Sequence, residues 1–191
     1  GMALFFKARS MKPRSVILLS TFTIMMFFTV QTILSWDFGS NLIGHWYPSV
    51  FAPLFIVSSF QVGIAAAILT FAFLRRSPMG PKINIEQFNF MGQLLLGFTF
   101  VWIYTAYSLY MVYWYGNIPR EIEPVNLRIW NWAPRLFWTM MAVKLFLPFL
   151  MLINTQVRHS VGALSFVAIL VLVGGAIEKY LIVVPSLHPE P

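Results

Sequence analysis

Glu178 and Lys179 in GGAIEKYLIVVP, and Lys144 in AVKLFLPF, are ionisable side chains set inside otherwise apolar stretches. A charge near mid-membrane costs about 2.5–3.5 kcal/mol on insertion scales, so each needs a partner or a task. Glu178 and Lys179 lie about seven residues from the end of their stretch, roughly 10 Å deep at about 1.5 Å per residue. Lys144 lies about ten residues into its own, roughly 15 Å deep. If the two stretches are antiparallel neighbours, a Lys144–Glu178 ion pair is within reach. Gln61 and Tyr104 fall at a similar depth, roughly 16 Å. Gln61, Tyr104, Lys144 and Glu178 can thus form one polar layer that passes a proton or meets the hydroxyl of a quinol. A second reading stays open beside it: the buried pair neutralises itself and holds helices in register. Lys179 is expected to snorkel outward or face a partner.

Asp37 and His45 occupy the stretch SWDFGSNLIGHWYPS, which reads as a loop at the membrane surface. An acid beside a histidine suits proton exchange with water, because imidazole titrates near neutrality; ordinary loop polarity is the alternative. His159 and His188 also fall in loops, so no histidine lies inside an apolar stretch to bind haem on both faces. The chain has no cysteine, hence no disulfide, thiolate metal site or iron–sulfur ligand of its own. Metal-ligand clusters, glycine-rich phosphate loops and nucleophile triads are missing from the sequence. The pairs Met25-Met26 and Met140-Met141 read as packing.

The elements that must position these residues are membrane helices. Of 191 residues, 59% are hydrophobic and 10% charged, against about 25% charged in soluble domains. Mean hydropathy is +0.75. Five apolar runs, at about 15–35, 50–74, 90–115, 134–153 and 161–184, are long enough to cross a core of roughly 30 Å. They are continuous rather than alternating, so the expectation is an all-α polytopic bundle. Residues 1–14 form a basic amino-terminal segment, 15–185 the transmembrane domain and 186–191 a short tail. The basic start before a long apolar run resembles a signal peptide, but it lacks a small-residue cleavage site and reads as a retained helix. The net charge of +7 comes from short clusters between the spans, which serve topology and do not form a nucleic-acid surface. Eight Lys and Arg fall on the amino-terminal side and three (Arg120, Arg128, Arg135) on the other. That places the amino terminus in the cytoplasm and the carboxyl terminus outside.

The run VYWYGNIPREIEP, residues 112–124, ends the third span. Tyr110, Tyr113, Trp114 and Tyr115 are expected in the headgroup layer, with Trp130, Trp132 and Trp138 repeating the collar. Gly116 through Pro119 would stop the helix, leaving Arg120, Glu121 and Glu123 in water. Pro134 would open the fourth span and Pro185 close the fifth.

These segments resemble a known family. FTFVWIYTAYSLYMVYWYGNIPRE, residues 98–121, is similar to a signature of the NrfD-like, polysulfide-reductase-type membrane subunits. It is most similar to that of the second such subunit of alternative complex III. Asp37, His45, Trp46 and Phe51 match a second motif, Lys144-Leu-Phe-Leu-Pro-Phe149 a third, and Glu178 through Pro185 a fourth, over residues 36–185. Lys144 stands where the family has histidine, Leu109 where it has glutamine, Arg120 where it has the first acid and Glu178 where it has aspartate. Family members are about twice as long, so the resemblance covers their carboxyl half; a fragment, a split subunit and a reduced paralogue are all compatible with it. It implies a subunit without a redox centre, contributing a proton path or supporting the quinone site. Quinol, haem c and iron–sulfur clusters would then be handled by partners: a sister NrfD-like membrane subunit, a periplasmic iron–sulfur subunit and multihaem cytochrome c subunits, all among lipids. A purely structural scaffold is the competing class. A small transporter ranks last, since no internal repeat is evident.

Overall fold

The computed structural model describes residues 13–42, 50–75, 84–126, 129–130 and 133–187. Among them there is no strand. The helices are α1 (Pro13–Ser35), α2 (Phe51–Leu74), α3 (Ile85–Gly116), α4 (Pro119–Asn126), α5 (Pro134–Met141), α6 (Leu147–Ile153), α7 (Thr155–His159) and α8 (Val161–Leu187). A π-helical turn, Trp36–Ser40, follows α1, and another, Ala142–Phe146, joins α5 to α6. Five helical stretches among the described residues are long and apolar enough to cross a membrane: Arg14–Gly39, Phe51–Leu74, Ile85–Gly116, Pro134–Ile153 and Val161–Pro185. The expected all-α polytopic bundle is the fold observed.

α2, α3, the α5–α6 unit and α8 pack together, and α1 lies outside them against α2. Phe27 of α1 meets Phe60 of α2 at 4.7 Å between ring centroids, and Ser59 Oγ donates to Gln31 Oε1 at 3.2 Å. The inward faces follow helical periodicity. On α2 the buried positions are Phe51, Leu54, Ser58, Gln61, Ala65 and Ile68. On α3 they include Phe88, Gly92, Leu95, Thr99, Trp102 and Thr105. Steps of three and four residues keep one stripe toward the core.

The two ends of the bundle differ. At the arginine end, Arg158 ties three elements: it donates to Asn89 Oδ1 at 3.2 Å and to the Leu152 carbonyl at 2.6 Å, near the close of α6. At the aromatic end, Trp114, Tyr115, Trp130 and Trp138 are exposed, as a headgroup collar requires. Tyr113 departs from that expectation. It turns inward to pack with Phe51, Val125 and Ile182. Trp132 lies outside the described residues.

Helix ends differ slightly from the sequence expectation. Asn117, with φ 44°, takes the left-handed conformation that stops α3, and its N–H donates to the Tyr113 carbonyl at 3.1 Å. Pro119 then opens α4, a short helix on which Glu121 and Glu123 are exposed, as expected. α8 continues through Pro185 to Leu187, where the expectation was a stop. Pro185 gives up the backbone hydrogen bond that its position would otherwise donate, and the helix runs only two residues further.

Candidate functional site

The π-helical turn at Ala142–Phe146 exists because of Pro148. In α geometry the residue at 148 would donate its N–H to the carbonyl of Lys144, and proline has none to give. The chain widens instead, and the Leu147 N–H donates to Ala142, five residues back. Such single-turn bulges redirect the side chains they carry, often at functional sites. Here the bulge directs Lys144 into the core, where it is 0% exposed.

α8 approaches this turn closely at a glycine pair. A Cβ on Gly174 would stand 2.6 Å from Lys144 Cβ and 3.0 Å from its Cα and N. A Cβ on Gly175 would stand 2.5 Å from Val62 Cγ2 on α2. Glycine is thus required on both flanks, by the π turn and by α2. Glu178 follows one turn later, wedged between the same neighbours and 5% exposed.

The Glu178 carboxylate joins all four bundle elements. Its Oε2 accepts from Lys144 Nζ at 2.5 Å and from the Ser58 hydroxyl of α2. Its Oε1 accepts from Trp102 Nε1 of α3 at 2.8 Å. Lys144 Nζ donates further to Ser58 Oγ at 2.8 Å and lies 4.6 Å from the centre of the Trp102 ring. A buried ion pair is tolerable only when additional hydrogen bonds meet its remaining lone pairs and protons, and this one has them. One turn toward the arginine end lies a second polar tier. Thr99 Oγ1 donates to the Leu95 carbonyl at 2.8 Å and accepts from Gln61 Nε2 at 3.0 Å. Gln61 Oε1 has no partner among the described residues.

Of the residues nominated from sequence, the structure brings Lys144 and Glu178 into contact and sets Gln61 in the adjacent tier. It does not bring Tyr104, which is 70% exposed. Trp102 faces inward, and two residues further on a helix is rotated by roughly 200°, so Tyr104 points away from the bundle. Asp37 is exposed in the first π-helical turn. His45 lies outside the described residues. Ser58 and Trp102 are site residues that the sequence reading did not nominate. Their signal was present: each stands three residues from another inward polar residue, Gln61 and Thr99, on the stripe of its own helix.

Toward the aromatic end, a cavity of about 410 Å³ opens beside the cluster. Aromatic and aliphatic side chains line it, among them Trp102, Tyr107, Tyr110, Trp138 and Met140; Glu178 is the charged residue in its lining. Ligand cavities of this size are mostly apolar, with a few polar groups that fix orientation.

The sequence profile of the family described as polysulphide reductase, NrfD, matches residues 2–188. The chain belongs to the NrfD family. The match extends beyond the 36–185 region that carries the motif resemblance. No curated protein matches the chain. NrfD proteins are integral-membrane subunits of quinone-linked oxidoreductase complexes and assemble with other subunits of those complexes. In this NrfD chain the charged cluster around Glu178 lies beside an apolar cavity. Among those residues no group of three or more His, Cys, Asp or Glu is placed to hold a metal ion.

Proposed function

We propose that this chain is the non-haem membrane subunit of a quinol:electron-acceptor oxidoreductase of the alternative complex III type, and that Glu178 takes up the proton a quinol releases in the adjacent cavity. The observation that carries this is the position of Glu178. One carboxylate both lines the apolar cavity and anchors the buried network of Lys144, Ser58 and Trp102. A quinol supplies protons and electrons. The electrons go to iron–sulfur clusters and haem c in a periplasmic iron–sulfur subunit and multihaem cytochrome c subunits, with a sister NrfD-like subunit alongside. The residues of this chain handle the proton. The chain lies in a bacterial cytoplasmic membrane with its aromatic end toward the periplasm, a placement favoured by Arg75 and Arg158 at the opposite end.

Glu178→Gln keeps the shape of the cluster and removes its base. We expect the assembled complex to lose quinol oxidation and coupled proton release by about 10²-fold, the scale of general-base contributions. Unchanged rates of both in an assembled Glu178→Gln complex would rule the role out.

A scaffold reading draws on a different observation: the carboxylate's donors all come from within the bundle, one from each neighbouring element, as in a pair that sets helix register. Exchanging the two charges, Lys144→Glu with Glu178→Lys, would then restore both assembly and activity. Under proton uptake by Glu178 it restores assembly alone.

A further inference from the structure

Lys179 stands in the reverse of the usual posture for a lysine in a membrane helix. Such side chains normally bury the stem and carry the ammonium to the interface. In Lys179 the side chain is 35% exposed, whereas Nζ is covered and has no hydrogen-bond partner among the described residues. The expectation that it snorkels outward therefore does not hold. The head is turned inward, 3.5 Å from the centre of the Phe55 ring and 3.8 Å from Glu178 Oε2. It approaches Glu178 from outside the cavity, whose lining does not include it. Lys144, by contrast, is locked by two hydrogen bonds within the core. One carboxylate thus has two lysines, one fixed and one held, among the described residues, by a ring face and a long ion contact.

We propose that Lys179 is a swinging arm that carries the proton taken up by Glu178 to the aqueous phase beyond the aromatic end. This rests on the proton-uptake role proposed for Glu178. The inner position is the one observed. Lys179 lies six residues before Pro185, roughly 9 Å along the axis from that end, and its flexible four-carbon stem covers much of that distance. When a quinol hydroxyl gives its proton to the Glu178 carboxylate, the carboxylate becomes a neutral acid. The ammonium of Lys179 then faces Lys144 with no anion between them, and like charges in a low-dielectric interior repel. It rotates outward and gives a proton to water. The neutral amine re-enters the apolar cleft more readily than the ammonium would and takes the proton from the Glu178 acid. That restores carboxylate and ammonium, with one proton moved from quinol to water. Among the described residues the charged groups facing Lys179 are Glu178 and, behind it, Lys144; the packed face of α2 presents Phe55 and Ser58, and Asp37 on the π turn after α1 makes no ion pair there.

Two arms test this on the complete membrane complex. The first reads position rather than activity. A water-soluble imidoester is applied to wild type and to Glu178→Gln, and modification of Lys179 is followed by mass spectrometry with buried Lys144 as internal reference. Removing the anion releases the arm, so Lys179 should react faster in the variant by about tenfold or more, the change expected when a minor state becomes the major one. Equal reactivity within about twofold would overturn the arm. The second compares Lys179→Met with Lys179→Arg. Arginine keeps the charge but does not release its proton, so both variants should lose proton release by about 10²-fold. A Lys179→Arg complex that releases protons at the wild-type rate would show a static charge and overturn the proposal. Loss of function in Glu178→Gln with full function in Lys179→Arg would leave the role of Glu178 standing and remove the arm alone.

Discussion

A double-mutant cycle on Lys144 and Glu178 tests whether the ion pair is a coupled unit. At 2.5 Å the direct attraction is of order 7 kcal/mol with an effective dielectric constant of about 20. Desolvation of both ions offsets much of that, so the net value of the pair is far smaller. Removing one partner is another matter, because it strands the other charge. Lys144→Met leaves a carboxylate that keeps Ser58 and Trp102 but loses its close cation. Glu178→Leu leaves Lys144, 0% exposed, with Ser58 as its remaining hydrogen-bond acceptor. Each single change should cost about 3–5 kcal/mol, and the double change, which removes both charges, far less than their sum. The expected coupling is therefore about 3 kcal/mol or more. The assay is reversible unfolding of the chain in mixed micelles by titration with a denaturing detergent, for wild type, both single variants and the double variant. Additivity to within about 0.5 kcal/mol, as for distant independent sites, would refute the account of the cluster.

The glycine pair gives a sharper packing test. Gly174→Ala should destabilise by about 1–3 kcal/mol in the same titration, because the added carbon meets the Lys144 backbone. Gly97→Ala has nothing among the described residues within 4 Å of the new atom and should be neutral or stabilising by up to about 1 kcal/mol. Ser58→Ala removes a donor to Glu178 and an acceptor for Lys144; a loss of about 1–3 kcal/mol is expected. Tyr104→Phe should leave both stability and quinol oxidation within about twofold of wild type, since an exposed side chain away from the cluster contributes little.

The spans were legible because a membrane core enforces length and continuous hydrophobicity, and each run from Val16 to Val184 had to satisfy both. The Lys144–Glu178 contact was legible too, since two opposite charges on successive antiparallel spans have few other places to go. Rotation about the helix axes was harder to read. Tyr104 and Trp102 are two residues apart in an aromatic run, and nothing in their chemistry alone says which faces the core; the spacing to Thr99 and Thr105 decides it. The inward turn of the Lys179 head was hidden for a similar reason. Snorkelling is the rule for an isolated lysine, and only the Phe55 ring and the adjacent carboxylate, both fixed by packing, turn the head inward. The π-helical turn was hidden because Pro148 in a helical run signals disruption without saying whether the backbone kinks or widens.

The sharing of one carboxylate among four helices has a consequence for biogenesis. The ribosome delivers Lys144 to the translocon 34 residues before its counter-ion. In that interval the fourth span carries an unmatched cation at a cost of about 2.5–3.5 kcal/mol. The spans Pro134–Ile153 and Val161–Pro185 are thus best handed to the lipid as a hairpin, the second bringing the carboxylate that balances the cation of the first.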